Sequence, residues 1–151
     1  MNAKDIMNPH VITIKKDTSI KDIAKIMVDN HISGVPVVDD DDKLIGIVTE
    51  GDLLHKKTAP RLPGVFSILG AFIYFNGVDR FKKDFEKLAA TIASEIMTKD
   101  VITVTEDEDI YDIASIFVNK EINRVPVVKN DKVIGIISRS DIIKYLAINR
   151  I

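Results

Sequence analysis

The stretch "GIVTEGD" spans Gly46 to Asp52, and a similar stretch, "GIISRSD", spans Gly135 to Asp141. Each stretch closes an apolar run with a hydroxyl residue and, three positions later, an aspartate. A repeated apolar run is explained by a hydrophobic core. A glycine, a hydroxyl and an aspartate that return at fixed offsets are not explained by a core alone, so the two stretches predict an internal repeat that carries a site.

The repeat extends well beyond these seven residues. The segment from Ile6 to Lys56 aligns with that from Ile96 to Tyr145, with nearly half of the positions identical and one extra aspartate in the first acidic turn. The sequence therefore predicts three segments: a first repeat at 1–56 (copy 1), an inter-repeat insert at 57–94 and a second repeat at 95–151 (copy 2).

Each copy has the same predicted order of strand, helix, strand, strand, helix. The β-branched runs "VITI" (Val11–Ile14) and "VITV" (Val101–Val104) predict the first strands, and "GVPVV", "RVPVV", "LIGIVT" and "VIGIIS" predict the hairpins. Apolar residues at helical spacing predict the first helix of each copy. The fold class is thus α/β (α+β), with two pseudo-symmetric β-α-β-β-α repeats packed through their sheets and a partly helical insert.

Local signals set the expected ends of these elements. Asp17, Thr18 or Ser19 can supply the N-cap of the first helix, and Asp107 or Asp109 its counterpart in copy 2. The second helices should start at about Gly51 and Ser140. Proline cannot donate to a ladder, so Pro36 and Pro126 are expected at a strand start or on an edge strand.

Composition excludes several classes of function. The 151 residues carry a net charge of −2, which argues against nonspecific binding of nucleic acid, and no cysteine, which excludes disulfides and thiol chemistry. The chain starts without the apolar core of a signal peptide, and its longest apolar run, "VFSILGAFIYF", is shorter than the ~20 residues of a membrane span. We expect a cytoplasmic protein without membrane insertion.

Three other features do not predict chemistry. The three histidines lack the close spacing of a zinc site, and we expect no metal site. The "DDDD" turn lacks the glycine and glutamate of a calcium loop, so a solvated hairpin turn is the better interpretation. No motif places a nucleophile beside a base, so we expect no enzyme.

The repeated blocks resemble the CBS domain, named after cystathionine β-synthase, and the tandem resembles a Bateman module. The resemblance lies in "IMNPHVITI", "HISGVPVVD" and "GIVTEGDLL" of copy 1 and in "IMTKDVITV", "EINRVPVVK" and "GIISRSDII" of copy 2. It implies a stand-alone, non-catalytic regulatory module that senses energy or metabolites. The implied ligand is AMP, ADP or ATP, with S-adenosylmethionine or cyclic di-AMP as further possibilities and Mg²⁺ only with a nucleotide. It also implies a homodimer and a regulated protein partner on another chain.

The resemblance assigns ligand-binding roles to three blocks. The middle block would supply main-chain groups to the adenine edge, and the segment before the first strand would cross to the other repeat. The implied residues, with the closing motifs, are Asn8, Val11, Thr13, Gly34, Val35, Pro36, Thr49 and Asp52 in copy 1 and Thr98, Val101, Thr103, Arg124, Val125, Pro126, Ser138, Arg139 and Asp141 in copy 2.

The motif residues support two interpretations on physical grounds. Thr49 and Ser138 lie at helix N-termini, where hydroxyls can bond phosphate or sugar oxygens. Asp52 and Asp141 follow three residues later, where a carboxylate can accept from both hydroxyls of a ribose diol or close a capping box. Arg139 and Arg124 could reach phosphate. Glu50, at the place that matches Arg139, would repel phosphate unless it points away or Mg²⁺ intervenes, so the Asp141 cleft is expected to hold a nucleotide more tightly. Solvated surface groups remain the alternative for the arginines.

The insert leaves further alternatives open. Its apolar residues could fill a cleft mouth, mediate dimer contacts or, less favoured, lie on a membrane surface. The basic group Lys56, Lys57 and Arg61 could bind phosphate, although a solvated linker is slightly favoured. A structural dimerisation module with clefts left empty or plugged by Phe72 or Tyr74, and a transcriptional regulator, stay open as other classes of function.

Overall fold

The computed structural model describes residues 1–54 and 91–148, which divide into two compact units. Among the described residues, the N-terminal unit comprises 13–40, 45–54 and 91–99, and the C-terminal unit comprises 1–12, 41–44 and 100–148. Each unit thus combines most of one copy with residues from the start of the other copy. The mixed α/β class is confirmed.

In copy 1 the described helices and strands follow the predicted order, whereas in the described part of copy 2 the first strand does not form, and one additional short helix lies at the start of each copy. In chain order they are α1 (Ala3–Ile6), β1 (Ile14–Lys15), α2 (Ile20–Asp29), β2 (Gly34–Val38), β3 (Leu44–Thr49), α3 (Glu50–Leu54), α4 (Ala93–Ile96), α5 (Ile110–Asn119), β4 (Arg124–Lys129), β5 (Lys132–Ser138) and α6 (Arg139–Ile148).

The first strand of each copy is shorter than predicted. In copy 1 only β1 forms a parallel ladder, with Ile14 opposite Val37 in the strand order β1-β2-β3. In copy 2 the run "VITV" contributes a single parallel bridge, Val104 to Val127. The β-branched residues that precede these positions favour an extended backbone, but a strand also needs a neighbour to pair with. The prediction of strands from Val11 and Val101 was therefore too long.

The hairpins differ in their turns. In the C-terminal unit β4 and β5 pair antiparallel, and the two connecting residues, Asn130 and Asp131, both have positive φ. This is the pattern of a tight two-residue hairpin turn. In copy 1 the connection runs over 39–43, and there Asp42 has positive φ. The extra aspartate of copy 1 thus lies in a longer turn.

The expected position was wrong for Pro36, whereas Pro126 lies on an edge strand as expected, because among the described residues its sheet has only the strands β4 and β5. Pro36 lies in the middle of β2, which is the central strand of its sheet, and Pro126 is the third residue of β4. The carbonyl of Pro126 accepts from the Val104 N–H at 3.1 Å, so its own nitrogen faces the same flank. On that flank the segment that ends at Val104 pairs with β4 through a single bridge. The missing N–H of Pro126 therefore removes no bond from a longer ladder.

The long helices present the apolar faces that the spacing predicts. In α2 the buried residues are Ile20, Ile23, Ala24 and Met27. In α5 they are Ile110, Ile113 and Phe117. Ser19 caps α2 by accepting from the Asp22 N–H, and Asp109 caps α5 by accepting from the Tyr111 N–H. α3 and α6 begin at Glu50 and Arg139, one residue earlier than expected.

Two short segments ahead of the copies share one structure. Residues 2–8 ("NAKDIMN", leader 1) contain α1, and residues 92–98 ("IASEIMT", leader 2) contain α4. In each, an acid accepts from the N–H three residues earlier, Asp5 from Asn2 at 2.8 Å and Glu95 from Ile92 at 2.9 Å. The amphipathic helix that the apolar spacing of "DRFKKDFEKLAATIASEIM" predicts does not continue through Ile92, whose backbone is extended. Residues 55–90, with the basic group, Phe72 and Tyr74, lie outside the described part, as do residues 149–151.

Each leader docks in the unit of the other copy through matching hydrogen bonds. Leader 1 donates from Ala3 to the Glu108 carbonyl, and leader 2 donates from Ala93 to the Thr18 carbonyl, at 2.8 and 2.9 Å. Ala3 belongs to the core of the C-terminal unit and Ala93 to the core of the N-terminal unit, both fully buried. Each hydrophobic core is therefore completed by residues from the segment that precedes the other copy.

The repeated glycine provides room for a methionine of the docked leader. A Cβ added to Gly135 would lie 2.3 Å from the Met7 sulfur, and one added to Gly46 would lie 2.4 Å from the Met97 sulfur. Separations below 3.0 Å essentially never occur for a real Cβ. The glycines thus let a methionine lie directly against the strand, and this packing explains why they recur.

Candidate functional site

The hydroxyl and the aspartate of the closing motif form the same pair in both units. The Oδ2 of Asp52 accepts from the Thr49 N–H at 2.8 Å and from the Thr49 hydroxyl at 3.1 Å. The Oδ2 of Asp141 accepts from the Ser138 N–H at 2.8 Å and from the Ser138 hydroxyl at 2.6 Å. The carboxylates therefore cap α3 and α6, as the capping interpretation predicts, and all four residues are half-buried.

These pairs present acceptors rather than donors. A hydroxyl has one hydrogen, and in each pair that hydrogen points to a carboxylate oxygen, which can only accept. In copy 2 the Ser140 hydroxyl lies 2.7 Å from the Ser138 hydroxyl and must then be the donor. A phosphate oxygen needs a donor, whereas a ribose hydroxyl can donate. In this arrangement the pair suits a sugar hydroxyl and not a phosphate oxygen.

The docked leaders end beside these pairs. Asn8 exchanges two backbone hydrogen bonds with Ile136, two residues before Ser138, at 2.9 and 3.0 Å. Thr98 does the same with Ile47, two residues before Thr49, at 3.0 Å in both directions. Each candidate site therefore joins the closing motif of one copy to the leader of the other. Both Asn8 and Thr98 are exposed.

The residue after the hydroxyl differs between the units. The Arg139 guanidinium donates to the carbonyls of Phe117 and Ile122, at 2.9 and 3.0 Å. Phe117 is in the last turn of α5, where carbonyls lack helical partners, so the arginine satisfies a helix end. Contact between Arg139 and a phosphate would require these bonds to open. Glu50 at the matching position is exposed, and Arg124 is partly buried at the start of β4.

The middle block is deeply buried. Val35 and Val125 have no exposed surface, Pro36 and Pro126 are also fully buried, and Gly34 is buried as well. Core packing is the role that this burial supports for their side chains. The flanking residues Ile32 and Ile122 are only partly buried and have surface available to a flat apolar ring. An adenine contact with the block itself stays a prediction.

The remaining predicted residues lie between the leaders and the first strands. Val11, Val101 and Thr103 are partly buried and Thr13 is exposed, and none of them lies in a strand. Their ligand roles stay predictions. Sequence reasoning missed the roles of Met7 and Met97, although the recurring "IM" in "IMNPHVITI" and "IMTKDVITV" was a signal that could have found them.

The described residues contain neither a metal-binding cluster nor a membrane-spanning helix. Within 1–54 and 91–148, no three His, Cys, Asp or Glu side chains stand close enough together to hold a metal ion. In that same part of the chain, no helix has the length and apolar character needed to cross a bilayer.

Comparison with known proteins decides the family. The family model "CBS domain" matches residues 3–58 and 93–148, which together exceed half of the chain. The chain belongs to the CBS domain family. The two matches begin within leader 1 and leader 2, at residues 3 and 93, and end at residues 58 and 148.

Curated CBS relatives vary in how much of their length is matched. The chain is 30% identical to the uncharacterized protein MJ1426 of Methanocaldococcus jannaschii, over 97% of this chain and 91% of that protein. It is 35% identical to a homoserine O-acetyltransferase of Methanosalsum zhilinae over 99% of this chain. That match spans only 25% of the acetyltransferase, so the chain corresponds to a part of a longer enzyme there.

Solved CBS-domain structures share the fold. CBSX2 of Arabidopsis thaliana in complex with AMP superposes with a TM-score of 0.76 at 26% identity, covering 99% of both chains. The CBS domain pair of MJ0100, in complex with 5′-methylthioadenosine and S-adenosyl-L-methionine, gives a TM-score of 0.73 at 28% identity. That comparison covers 99% of this chain and 98% of the other.

Proposed function

We propose that this chain is a non-catalytic regulatory module that binds an adenine nucleotide or a related adenosine compound. The observation that carries the proposal is the pair of acceptor sites, Thr49 with Asp52 and Ser138 with Asp141. Both pairs have the same hydrogen-bond pattern. Both lie where a strand ends, beside an exposed leader residue.

The ligands of the related structures narrow the chemistry. AMP, 5′-methylthioadenosine and S-adenosylmethionine differ at the 5′ position, and they share adenine and a ribose with its cis-diol. A binding motif common to all three must therefore recognise the adenosine part. An acceptor pair suits the two diol hydroxyls, which donate. A carboxylate has about four lone-pair positions, so an aspartate that caps its helix keeps acceptor capacity for a ribose.

The 5′ substituent should be sensed by the residues that differ between the units. Arg139 and Arg124 favour an anionic substituent in the C-terminal unit, and Glu50 disfavours one in the N-terminal unit. We therefore propose that the C-terminal unit prefers AMP, ADP or ATP. Compounds without phosphate, such as 5′-methylthioadenosine, would be tolerated in both units.

Isothermal titration tests the proposal with ligands that differ by single groups. We expect heat with adenosine, AMP and 5′-methylthioadenosine, and a loss of roughly tenfold or more in affinity with the 2′,3′-dideoxy analogues, because the acceptors would be left unpaired. Equal affinity for adenosine and dideoxyadenosine would refute the diol role. No heat with any adenosine compound would refute the function.

Matched variants separate ligand binding from helix capping. Asp52→Asn and Asp141→Asn keep one acceptor oxygen for the capped N–H but lose charge and acceptor capacity. We expect each variant to bind adenosine more weakly in one unit while retaining most of its stability. For a ligand-binding aspartate, the discrimination between adenosine and dideoxyadenosine should shrink in the same variant.

Regulation follows if the ligand binds two states of the module unequally. The proposed output is contact with a protein partner on another chain. Limited proteolysis with and without AMP tests this step. An unchanged cleavage pattern at saturating AMP would show that binding produces no change that a partner could sense.

A scaffold role through homodimerisation is the second candidate function. The helices of the C-terminal unit expose several large apolar side chains, and the most exposed are Tyr111, Val118, Ile143 and Ile148. Exposed apolar surface of this kind favours association. Light scattering after size exclusion tests it, and a dimer that Val118→Asp converts to monomer without loss of adenosine binding would support a separate structural role.

A further inference from the structure

We propose that Met7 and Met97 form a pair of reversible oxidation sites whose modification by a peroxide releases the docked leaders. The proposal does not depend on any ligand of the candidate site. It rests on the contact of each thioether with the glycine of the opposite strand and on the partial exposure of both side chains.

The thioethers are held closely on one side. The positions that a Cβ would occupy on Gly135 and Gly46 lie 2.3 and 2.4 Å from the two sulfur atoms, and 2.8 and 2.9 Å from the adjoining Cγ atoms. Each methionine also packs against a hydrophobic core, Met7 in the C-terminal unit and Met97 in the N-terminal unit. An oxygen added on this side of the sulfur would be forced against apolar atoms.

Both methionines remain partly exposed, so a small oxidant can approach them. The sulfur lone pair attacks one peroxide oxygen, the O–O bond breaks, and that oxygen is transferred to sulfur while water leaves. The thioether is oxidised to a sulfoxide and the peroxide is reduced to water. The product is a polar side chain, which disrupts apolar packing and can be reduced enzymatically to methionine.

The four methionines of the chain provide internal references. Met1 is 53% exposed and should react fastest, whereas Met27 is 2% exposed in the core of the N-terminal unit and should react slowest. Met7 and Met97 should fall between them. Oxidation of Met7 and Met97 before Met27 would indicate selective oxidation of the leaders rather than general damage to the protein.

The experiment treats the intact protein with hydrogen peroxide and follows each methionine by peptide mass spectrometry. Hydrogen exchange then reports docking at the amides that join leader and strand: Asn8 and Ile136 in one unit, Ile47 and Thr98 in the other. We expect exchange at Asn8 and Ile136 to rise by about tenfold or more once Met7 is oxidised, because a polar group cannot remain in the apolar contact without cost. Methionine sulfoxide reductase should restore the protection.

Two variants make the assignment specific. Met7→Leu and Met97→Leu remove the sulfur at similar volume, a substitution that cores tolerate. After a check that each variant is protected before treatment, Met7→Leu should resist peroxide at Asn8 and Ile136 but not at Ile47 and Thr98, and Met97→Leu should show the reverse. Three outcomes would overturn the proposal: oxidation of Met7 and Met97 no faster than Met27, oxidised leaders that stay protected, or protection lost equally throughout both units.

Discussion

The two units share one construction and differ in a few side chains, and the difference separates what the fold requires from what a ligand would sense. In both units a leader docks through the same backbone bonds, a methionine lies against a glycine, and an aspartate caps the helix that follows the strand. These shared features hold each core together. The residue after the hydroxyl, Glu50 or Arg139, is not shared, and its side chain determines the local charge beside the site.

The comparison also changes the meaning of the repeated motif. In "GIVTEGD" and "GIISRSD" the glycine serves the leader, while the hydroxyl and the aspartate serve the helix end and the proposed sugar site. One motif thus combines a packing role with a proposed binding role. Substitutions at the glycine and at the residue after the hydroxyl test whether these roles can be separated.

The largest effect is expected from filling the space at a glycine. Gly135→Val places three carbon atoms where Met7 now lies, and Gly46→Val does the same at Met97. We expect each substitution to lower the free energy of unfolding by about 1–3 kcal/mol, the usual cost of overpacking. Urea denaturation followed by circular dichroism measures this loss.

Second substitutions test whether the loss is specific to one leader. Met7→Ala should offset part of the loss in Gly135→Val but not in Gly46→Val, and Met97→Ala should show the opposite preference. Gly51→Ala is the matched control, because the nearest atom to its added Cβ is the Thr49 hydroxyl at 3.6 Å. A rescue by either methionine variant regardless of unit would show that the contacts are not specific.

The next effect concerns Arg139 and Glu50. Arg139→Ala removes two charge-assisted hydrogen bonds to carbonyls, and we expect it to lower the free energy of unfolding by about 1–2 kcal/mol. Glu50→Ala should change it by less than about 0.5 kcal/mol, as for most exposed positions. The backbone bonds of both residues, to Asn123 and Ser33, are unaffected. Equal losses of unfolding free energy in both variants would mean that the hydrogen bonds of the Arg139 guanidinium do not add measurably to stability.

Much of the fold could be predicted from the sequence because each pattern occurs twice, once in each copy. The faces of α2 and α5 follow from apolar spacing, and the caps Ser19 and Asp109 follow from residue type. The resemblance implied that the segment before the first strand crosses to the other repeat, but the residues that a leader packs against could not be predicted, because a four-residue helix has no periodicity and its partners lie far along the chain. The orientation of Arg139 was also out of reach, since its carbonyl partners are defined only by the folded backbone.

A smaller effect is expected where each long helix ends. His31 and Glu121 occupy matching positions after α2 and α5, and both have φ of 53°, a left-handed conformation that costs most residues about 1 kcal/mol. We expect His31→Gly and Glu121→Gly each to raise the free energy of unfolding by about 0.5–1 kcal/mol. The preceding Lys120 has φ of −101°, so Lys120→Gly is the control and should be destabilising. If only one of the two substitutions raised the free energy of unfolding, the two helix ends would differ energetically although their φ angles are equal.

The smallest effect distinguishes the leaders by charge. Lys4 of leader 1 donates to Asp107 at 2.8 Å, whereas leader 2 has Ser94 at the matching position and cannot form this ion pair. The hydrogen bond from Lys4, and then its charge, lowers the pKa of Asp107 below its ordinary 3.8. The hydrogen bond to Asp107, and then its charge, raises the pKa of Lys4 above 10.5.

These two pKa shifts predict that the ion pair stabilises the fold by a constant amount at pH values between the ordinary pKa values of the two groups, 3.8 and 10.5. Because the pKa of the acid is lowered, its contribution is present above 3.8 and is lost as the pH falls through the lowered pKa. Because the pKa of the lysine is raised, its contribution is present below 10.5 and is lost as the pH rises through the raised pKa. The melting temperature of Lys4→Met should therefore fall slightly below that of the wild type within this pH range and converge with it at both ends. Since the pair is exposed, about 1 M salt should also remove the difference. A difference that persists in high salt or at acidic pH would mean that Lys4 stabilises leader 1 through its aliphatic chain rather than its charge.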